Sequence, residues 1–335
     1  MASGLLDRAF SKVIAASPLF LEVPPNPTES AVNEALTLYH ENKCDGVVAI
    51  GGGSPIDLAK GVALLATHEG ELEQYAAIYG GVSRIRSDVA PVIAVPTTAG
   101  TGSEVGRAAL ITLEDGRKLG FISPYLIPKR AICDPELTLG LPPVLTAATG
   151  LDALSHCIET YLSPRFNPPA EAIAVDGFMR IWNALPKAYE DGSDIEARSD
   201  VMMGALQGGM TFQKGLGAVH ALSHALGGLK ELKLHHGTLN AILMPPVLRA
   251  NASDDTAAKK IGTLEAAISL DGEPLADALD RLNRQFNIPD TLSQLGVSEE
   301  VLDWVCARAL ADHSHQTNPR DLRKEEYLAI LQSVM

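Results

Sequence analysis

The sequence predicts a parallel α/β domain followed by an all-α domain, and three observations carry that reading. Short β-branched runs alternate with helix-spaced apolar positions up to about residue 138. Strand signals stop beyond about residue 145, where long Ala/Leu/Ile/Met-rich segments take over. A turn-rich stretch, 134–143, separates the two regimes, so the expected division is 1–138 and 139–335.

In the first part, strands are expected at 46–50, 91–95 and 130–133. Helices are expected at 31–41 and 55–68, the second opening with Ser54 as N-cap and Pro55 at its first position. In the second part, helical segments fall at 144–163, 169–188, 194–212, 217–229, 237–250, 255–269, 274–286, 298–312 and 323–334.

With 335 residues, 46% of them hydrophobic, the chain can bury a sizeable core. A formal charge of −14, without a long Lys/Arg cluster, argues against a nucleic-acid partner. Near the N-terminus Asp7, Arg8, Lys12 and Glu22 interrupt the apolar residues, which is wrong for a secretory signal. No apolar run reaches the roughly 18 residues of a membrane span. A soluble, cytoplasmic protein is expected. Cys44, Cys133, Cys157 and Cys306 lack CxxC spacing, so a metal would be held by nitrogen and oxygen.

Two loops follow expected strands. Gly51, Gly52 and Gly53 precede Ser54 and Pro55 at a strand-to-helix junction, where backbone amides and a helix N-terminus can receive a pyrophosphate. The pattern is neither GxGxxG nor a P-loop, and a tight strand-to-helix turn is the lesser alternative on local grounds. The second loop, 96–104, carries Thr97, Thr98, Thr101 and Ser103 with two glycines. Two such loops at consecutive strand ends share the carboxyl edge of a parallel sheet, where ligands bind. Lys118, about twenty residues on, is read as a charge for that ligand or as an ordinary surface lysine.

Five of nine histidines lie between 156 and 236. Asp152 and His156 share a helix face, as do His220 and His224. The first stripe continues through Glu159 and Ser163, the pattern of a solvated polar face as much as of a site. The second lies in an uncharged stretch, 215–228, which reads as buried; imidazoles there need partners, and a divalent cation supplies one. His235 or His236 can complete such a set, which suits zinc or ferrous iron, and no HExxH is present. His313 and His315 read as surface-loop residues.

The segments GGGSPIDLAK (51–60), PTTAGTGSE (96–104), DPELTLGLPP (134–143), GLDALSHCIE (150–159), HALSHALGG (220–228) and HHGTLNAILMP (235–245) jointly resemble the iron-containing, group III alcohol dehydrogenases. The likeness runs in order from about Pro27 to the C-terminus. It implies a Rossmann-like dinucleotide-binding domain and a helical metal-binding domain. It also implies a divalent metal, iron before zinc, on Asp152, His156, His220 and His236, with His224 as the catalytic proton-relay residue. NAD or NADP would be contacted by Gly52, Gly53, Ser54, Asp57, Thr97, Thr98, Lys118 and Leu137. The implied reaction is hydride transfer between a small alcohol or aldehyde and the nicotinamide, in a homodimer. Rival readings are the maleylacetate reductase or polyol dehydrogenase branch and a metal-binding paralogue with impaired catalysis. Members open with a strand and helix where residues 2–15 stand here. The first βα portion, about 30 residues or more, is therefore expected to be missing, and with it a position that influences NAD against NADP choice.

Overall fold

The computed structural model describes residues 17–335 apart from Lys230; the helix-like reading of 2–15 lies outside the described residues. The chain divides into two compact units, the second comprising Ala99–Gly102 and Leu141–Met335, the first the remainder up to Gly140.

In chain order the first unit holds α1 (Glu29–Glu41), β1 (Val47–Gly51), α2 (Gly53–Leu65), β2 (Val92–Pro96), β3 (Ala108–Thr112), β4 (Lys118–Ile122) and β5 (Arg130–Ala131). Strands β1, β2 and β5 form a parallel sheet in that order, with Val47 opposite Val92 and Gly51 opposite Pro96. Strands β3 and β4 form an antiparallel hairpin that the strand reading omitted. Its signal was present: Asp115 and Gly116, the latter at φ 86°, are turn residues between two apolar runs. Val32, Ile56, Val62, Ile111 and Phe121 are buried together in the core of this unit.

The start of α2 corrects an expectation. Gly52, not Ser54, is the N-cap, and Pro55 is the third helical residue. Proline is tolerated there because first-turn N–H groups have no intrahelical acceptor. The Ser54 hydroxyl donates instead to the Pro25 carbonyl.

The second unit is all helix and short turns: α3 (Pro143–Leu162), α4 (Pro168–Glu190), α5 (Ile195–Met210), α6 (Ala218–Gly227), α7 (His236–Asn251), α8 (Asp255–Ala267), α9 (Leu275–Gln285), α10 (Leu302–Ala311) and α11 (Lys324–Gln332). Asn167, Asp194 and Asp254 cap α4, α5 and α8 by accepting first-turn N–H groups. Helix α3 is central, packed against α4, α5 and α7, and every residue from Gly150 to Leu162 is buried. Helix α7 continues through Pro245 and Pro246. Pro245 has no N–H for the carbonyl of Ala241, and the Asn283 amide donates to that oxygen at 2.7 Å instead. Among the described residues no helix is long and apolar enough to cross a membrane.

Candidate active site

Helix α3 carries Asp152 and His156 one turn apart, and its burial overturns the solvated-face reading, since Asp152, His156, Glu159 and Ser163 are all buried. A polar stripe on a helix faces either water or polar groups of other helices. Here α6 and α7 bring those groups. The first turn of α7 reaches α3 through Gly237, where a Cβ would stand 2.1 Å from the carbonyl oxygen of Ala148. Any larger residue there would hold His236 and Asn240 away from Asp152.

The Nε2 atoms of His156, His220 and His236 lie 3.6, 3.8 and 3.6 Å from one oxygen, Oδ1 of Asp152. Donor atoms of Asp152, His156 and His220 fall within 4.8 Å of one another, a grouping able to hold a metal ion. His236 is the more open member, its side chain 37% exposed against 1% for His220. Its neighbour His235 is the N-cap of α7, with Nδ1 accepting from the Thr238 N–H, so the choice between the two histidines falls on His236. The buried Asn240 amide donates to Asp152 Oδ1 at 2.7 Å and stands 3.2 Å from Nε2 of both His220 and His236.

Burial, with the neighbouring imidazoles, holds His220 well below its ordinary pKa, and burial lowers His156 as well. Both imidazoles are therefore neutral at pH 7. Glu159 accepts the Val219 N–H at 2.8 Å and lies 2.6 Å from Nδ1 of His220; burial pushes its carboxyl up to about 8. Among the described residues no Lys or Arg forms an ion pair with Asp152 or Glu159. Three imidazoles and a carboxylate oxygen gathered in this way fit Fe²⁺ or Zn²⁺.

His224, one turn beyond His220 on α6, lies beside this set. Its Nδ1 is 3.0 Å from Oδ2 of Asp312, the residue that ends α10, and α10 packs on α6. Burial opposes ionisation of Asp312, but His224 and His313 outweigh it and hold the carboxyl well below the usual range. The His224 ring stacks on His236 at 5.5 Å and on His313 at 6.0 Å. His313 is exposed as expected, while His315 is engaged with Tyr327, Nδ1 to hydroxyl at 3.0 Å.

In the first unit the Thr97 N–H donates to the Gly51 carbonyl at 3.0 Å, so both loops leave the same sheet edge. A Cβ on Gly52 would stand 3.1 Å from the Thr98 hydroxyl. Gly52, Gly53, Ser54, Thr97 and Thr98 are all partly accessible. Asp57 is differently engaged: its oxygens accept from the Ser103 hydroxyl at 2.5 Å and the Leu110 N–H at 2.9 Å. Lys118 is exposed on β4 and donates to Asn26 at 3.0 Å. Leu137 is buried in a single helical turn, Pro135–Thr138.

Sequence reasoning passed over Glu159, Asn240 and Asp312 as functional residues. Glu159 shares the helix face of Asp152 and His156, which was a usable signal. Asn240, one turn after His236 in an otherwise apolar run, was another. Asp312 had none, because its partner is 88 positions away.

Comparison with known proteins agrees with this arrangement. The profile of iron-containing alcohol dehydrogenases matches residues 1–135, and that of the C-terminal region of the Fe-containing alcohol dehydrogenase family matches 146–335. The chain is similar to 4-hydroxybutyrate dehydrogenase of Cupriavidus necator, 53% identical over 342 aligned residues that cover 100% of this chain and 90% of the relative. It is similar to 1,3-propanediol dehydrogenase of Klebsiella pneumoniae, at 38% identity over 93% of this chain and 81% of the relative. A solved 1,3-propanediol oxidoreductase superposes with a TM-score of 0.87 at 37% identity, covering 95% of this chain and 84% of that one. Fold and relatives together define an oxidoreductase acting on CH–OH groups. The chain belongs to the iron-containing alcohol dehydrogenase family, whose members imply a divalent metal and a nicotinamide dinucleotide.

Proposed function

We propose that the chain interconverts a small primary alcohol and its aldehyde with NAD or NADP, using Fe²⁺, or Zn²⁺ in its place, on Asp152, His156, His220 and His236. The observation that carries this reading is the convergence of three imidazole Nε2 atoms on one carboxylate oxygen, at 3.6 to 3.8 Å. When bound, the cation supplies Lewis-acid polarisation of the substrate oxygen. The protein's own residues do the rest. Asp312 orients His224 through Nδ1, leaving Nε2 to exchange the hydroxyl proton, and exposed His313 stacked beside it leads toward solvent. The half comprising 1–138 takes the dinucleotide, with Gly52, Gly53 and Ser54 at the pyrophosphate and Thr97 and Thr98 beside it. Asp57, Lys118 and Leu137 are assigned as further dinucleotide contacts. The half comprising 139–335 takes metal and alcohol.

The names of the relatives make 4-hydroxybutyrate and 1,3-propanediol the first substrates to assay. The same reading makes the protein a cytoplasmic homodimer. Two variants test the assignment. His220→Ala is expected to weaken Zn²⁺ or anaerobic Fe²⁺ binding by more than about 100-fold, beyond what loss of an outer-shell partner costs. Gly53→Val is expected to weaken NADH binding and leave metal content intact. Wild-type metal content in His220→Ala, or wild-type NADH affinity in Gly53→Val, refutes the corresponding half.

A further inference from the structure

Glu159 is a buried acid that the proposed reaction does not touch. It lies two turns beyond Asp152 on α3 and is 4% exposed. Oε1 accepts the Val219 N–H at 2.8 Å, in the first turn of α6, and Oε2 lies 2.6 Å from Nδ1 of His220. The sequence leaves room for it: a Cβ on Gly217 would stand 2.8 Å from Oε1. Asn318 takes the adjacent Ala218 N–H at 3.1 Å, so Glu159 is not the sole cap of α6.

A neutral imidazole has one proton and two nitrogens, and the partner of one nitrogen decides the state of the other. Burial favours the protonated acid in the metal-free protein, but a cation on Nε2 would favour the carboxylate; in that state Glu159 can only accept at Nδ1, which keeps the proton on Nδ1 and the lone pair on Nε2. That nitrogen is the one 3.8 Å from Asp152 Oδ1. With the opposite tautomer, His220 would turn an N–H toward the other donors and could not ligate.

We propose that Glu159 is the positioning residue of this centre: it fixes the ring of His220 and keeps its proton on Nδ1, so that Nε2 is presented as a metal ligand. This rests on reading His220 as a ligand. Outer-shell partners of ligating histidines typically contribute about 10- to 100-fold in metal affinity.

The test is Zn²⁺ affinity by chelator competition in the full chain, for wild type, Glu159→Gln, His220→Ala and the double variant. A glutamine keeps an oxygen for Val219 but turns an NH₂ to Nδ1, which selects the wrong tautomer. Glu159→Gln is expected to lose about 10- to 100-fold in affinity. The double variant is expected to bind no more weakly than His220→Ala alone, because the effect passes through that ring. Wild-type affinity in Glu159→Gln overturns the proposal, and so does a Glu159→Gln loss that persists in full beside His220→Ala. Wild-type affinity in His220→Ala instead removes the ligand reading underneath it. Should Glu159→Gln fail to fold, ¹⁵N-histidine NMR of the Zn²⁺-loaded wild type decides. A proton on Nδ1 of His220 and none on Nε2 supports the proposal, and the reverse pattern overturns it.

Discussion

Each unit buries a polar cluster, and the two are built in opposite ways. In the first, the fully buried Lys60 ammonium donates to the Ser103 hydroxyl and to the carbonyls of Gly106 and Ala108, with the Asp57 carboxylate 3.9 Å away. Asp57 in turn accepts from Ser103 and Leu110, so cation, anion and donors answer one another. In the second, Asp152 and Glu159 face imidazoles, and no lysine or arginine pairs with them among the described residues. A polar cluster that closes on itself ties elements together; one that gathers acceptors and lone pairs without a cation holds a place for one.

The largest test breaks the closed cluster. Lys60→Met leaves Asp57 and two carbonyls without their partner, and is expected to cost about 3–5 kcal/mol in chemical denaturation with Zn²⁺ affinity unchanged. Wild-type stability in that variant would show that Lys60 does not hold the fold. A smaller effect is expected from filling the open cluster. Zn²⁺ at about 100 times its dissociation constant should stabilise the folded chain by about 2.7 kcal/mol, seen as slower hydrogen exchange in α3 and α6. Unchanged exchange there would mean that the four donors do not receive the ion.

The smallest expected effect is in pH dependence, where the clusters should respond at opposite ends. Burial pushes Lys60 down to about 8, whereas an unfolded lysine holds its proton to about 10.4. Between those values the unfolded chain binds more protons, so stability rises with pH, and Lys60→Met should lack that rise. In the metal-free protein His156 and His220 lie below the ordinary 6.5 because they are buried. Below about pH 6.5 the unfolded imidazoles take up protons that the folded ones refuse, and stability falls. Flat denaturation midpoints across either range contradict the corresponding cluster.

What the sequence disclosed follows the reach of each interaction. Asp152, His156, His220 and His224 were legible because i,i+4 spacing and uncharged flanks are local. The parallel strands were legible for the same reason, though the third shortened to Arg130–Ala131. Glu159 was ambiguous because a polar stripe looks alike whether it meets water or another helix, and its partner His220 is 61 residues away. Ser54 was misplaced because the extended Gly52 serves as N-cap and Gly53 already opens the helix. The β3–β4 hairpin was missed although Asp115 and Gly116 announced it, because short apolar runs between loops are easily read as connection.

The proline in α7 also bears on how the protein is made. His236 and Asn240 sit in the opening turns of that helix, yet the carbonyl of Ala241 takes a hydrogen bond from Asn283, 42 residues further along. A nascent chain that has emerged as far as α7 already contains Asp152, His156, His220 and His236. It still has an unanswered carbonyl in the middle of the helix that delivers the last of them. Until α9 has been synthesised and docked, that carbonyl is left to water. The ribosome thus finishes all four residues well before the helix that carries His236 gains this hydrogen bond.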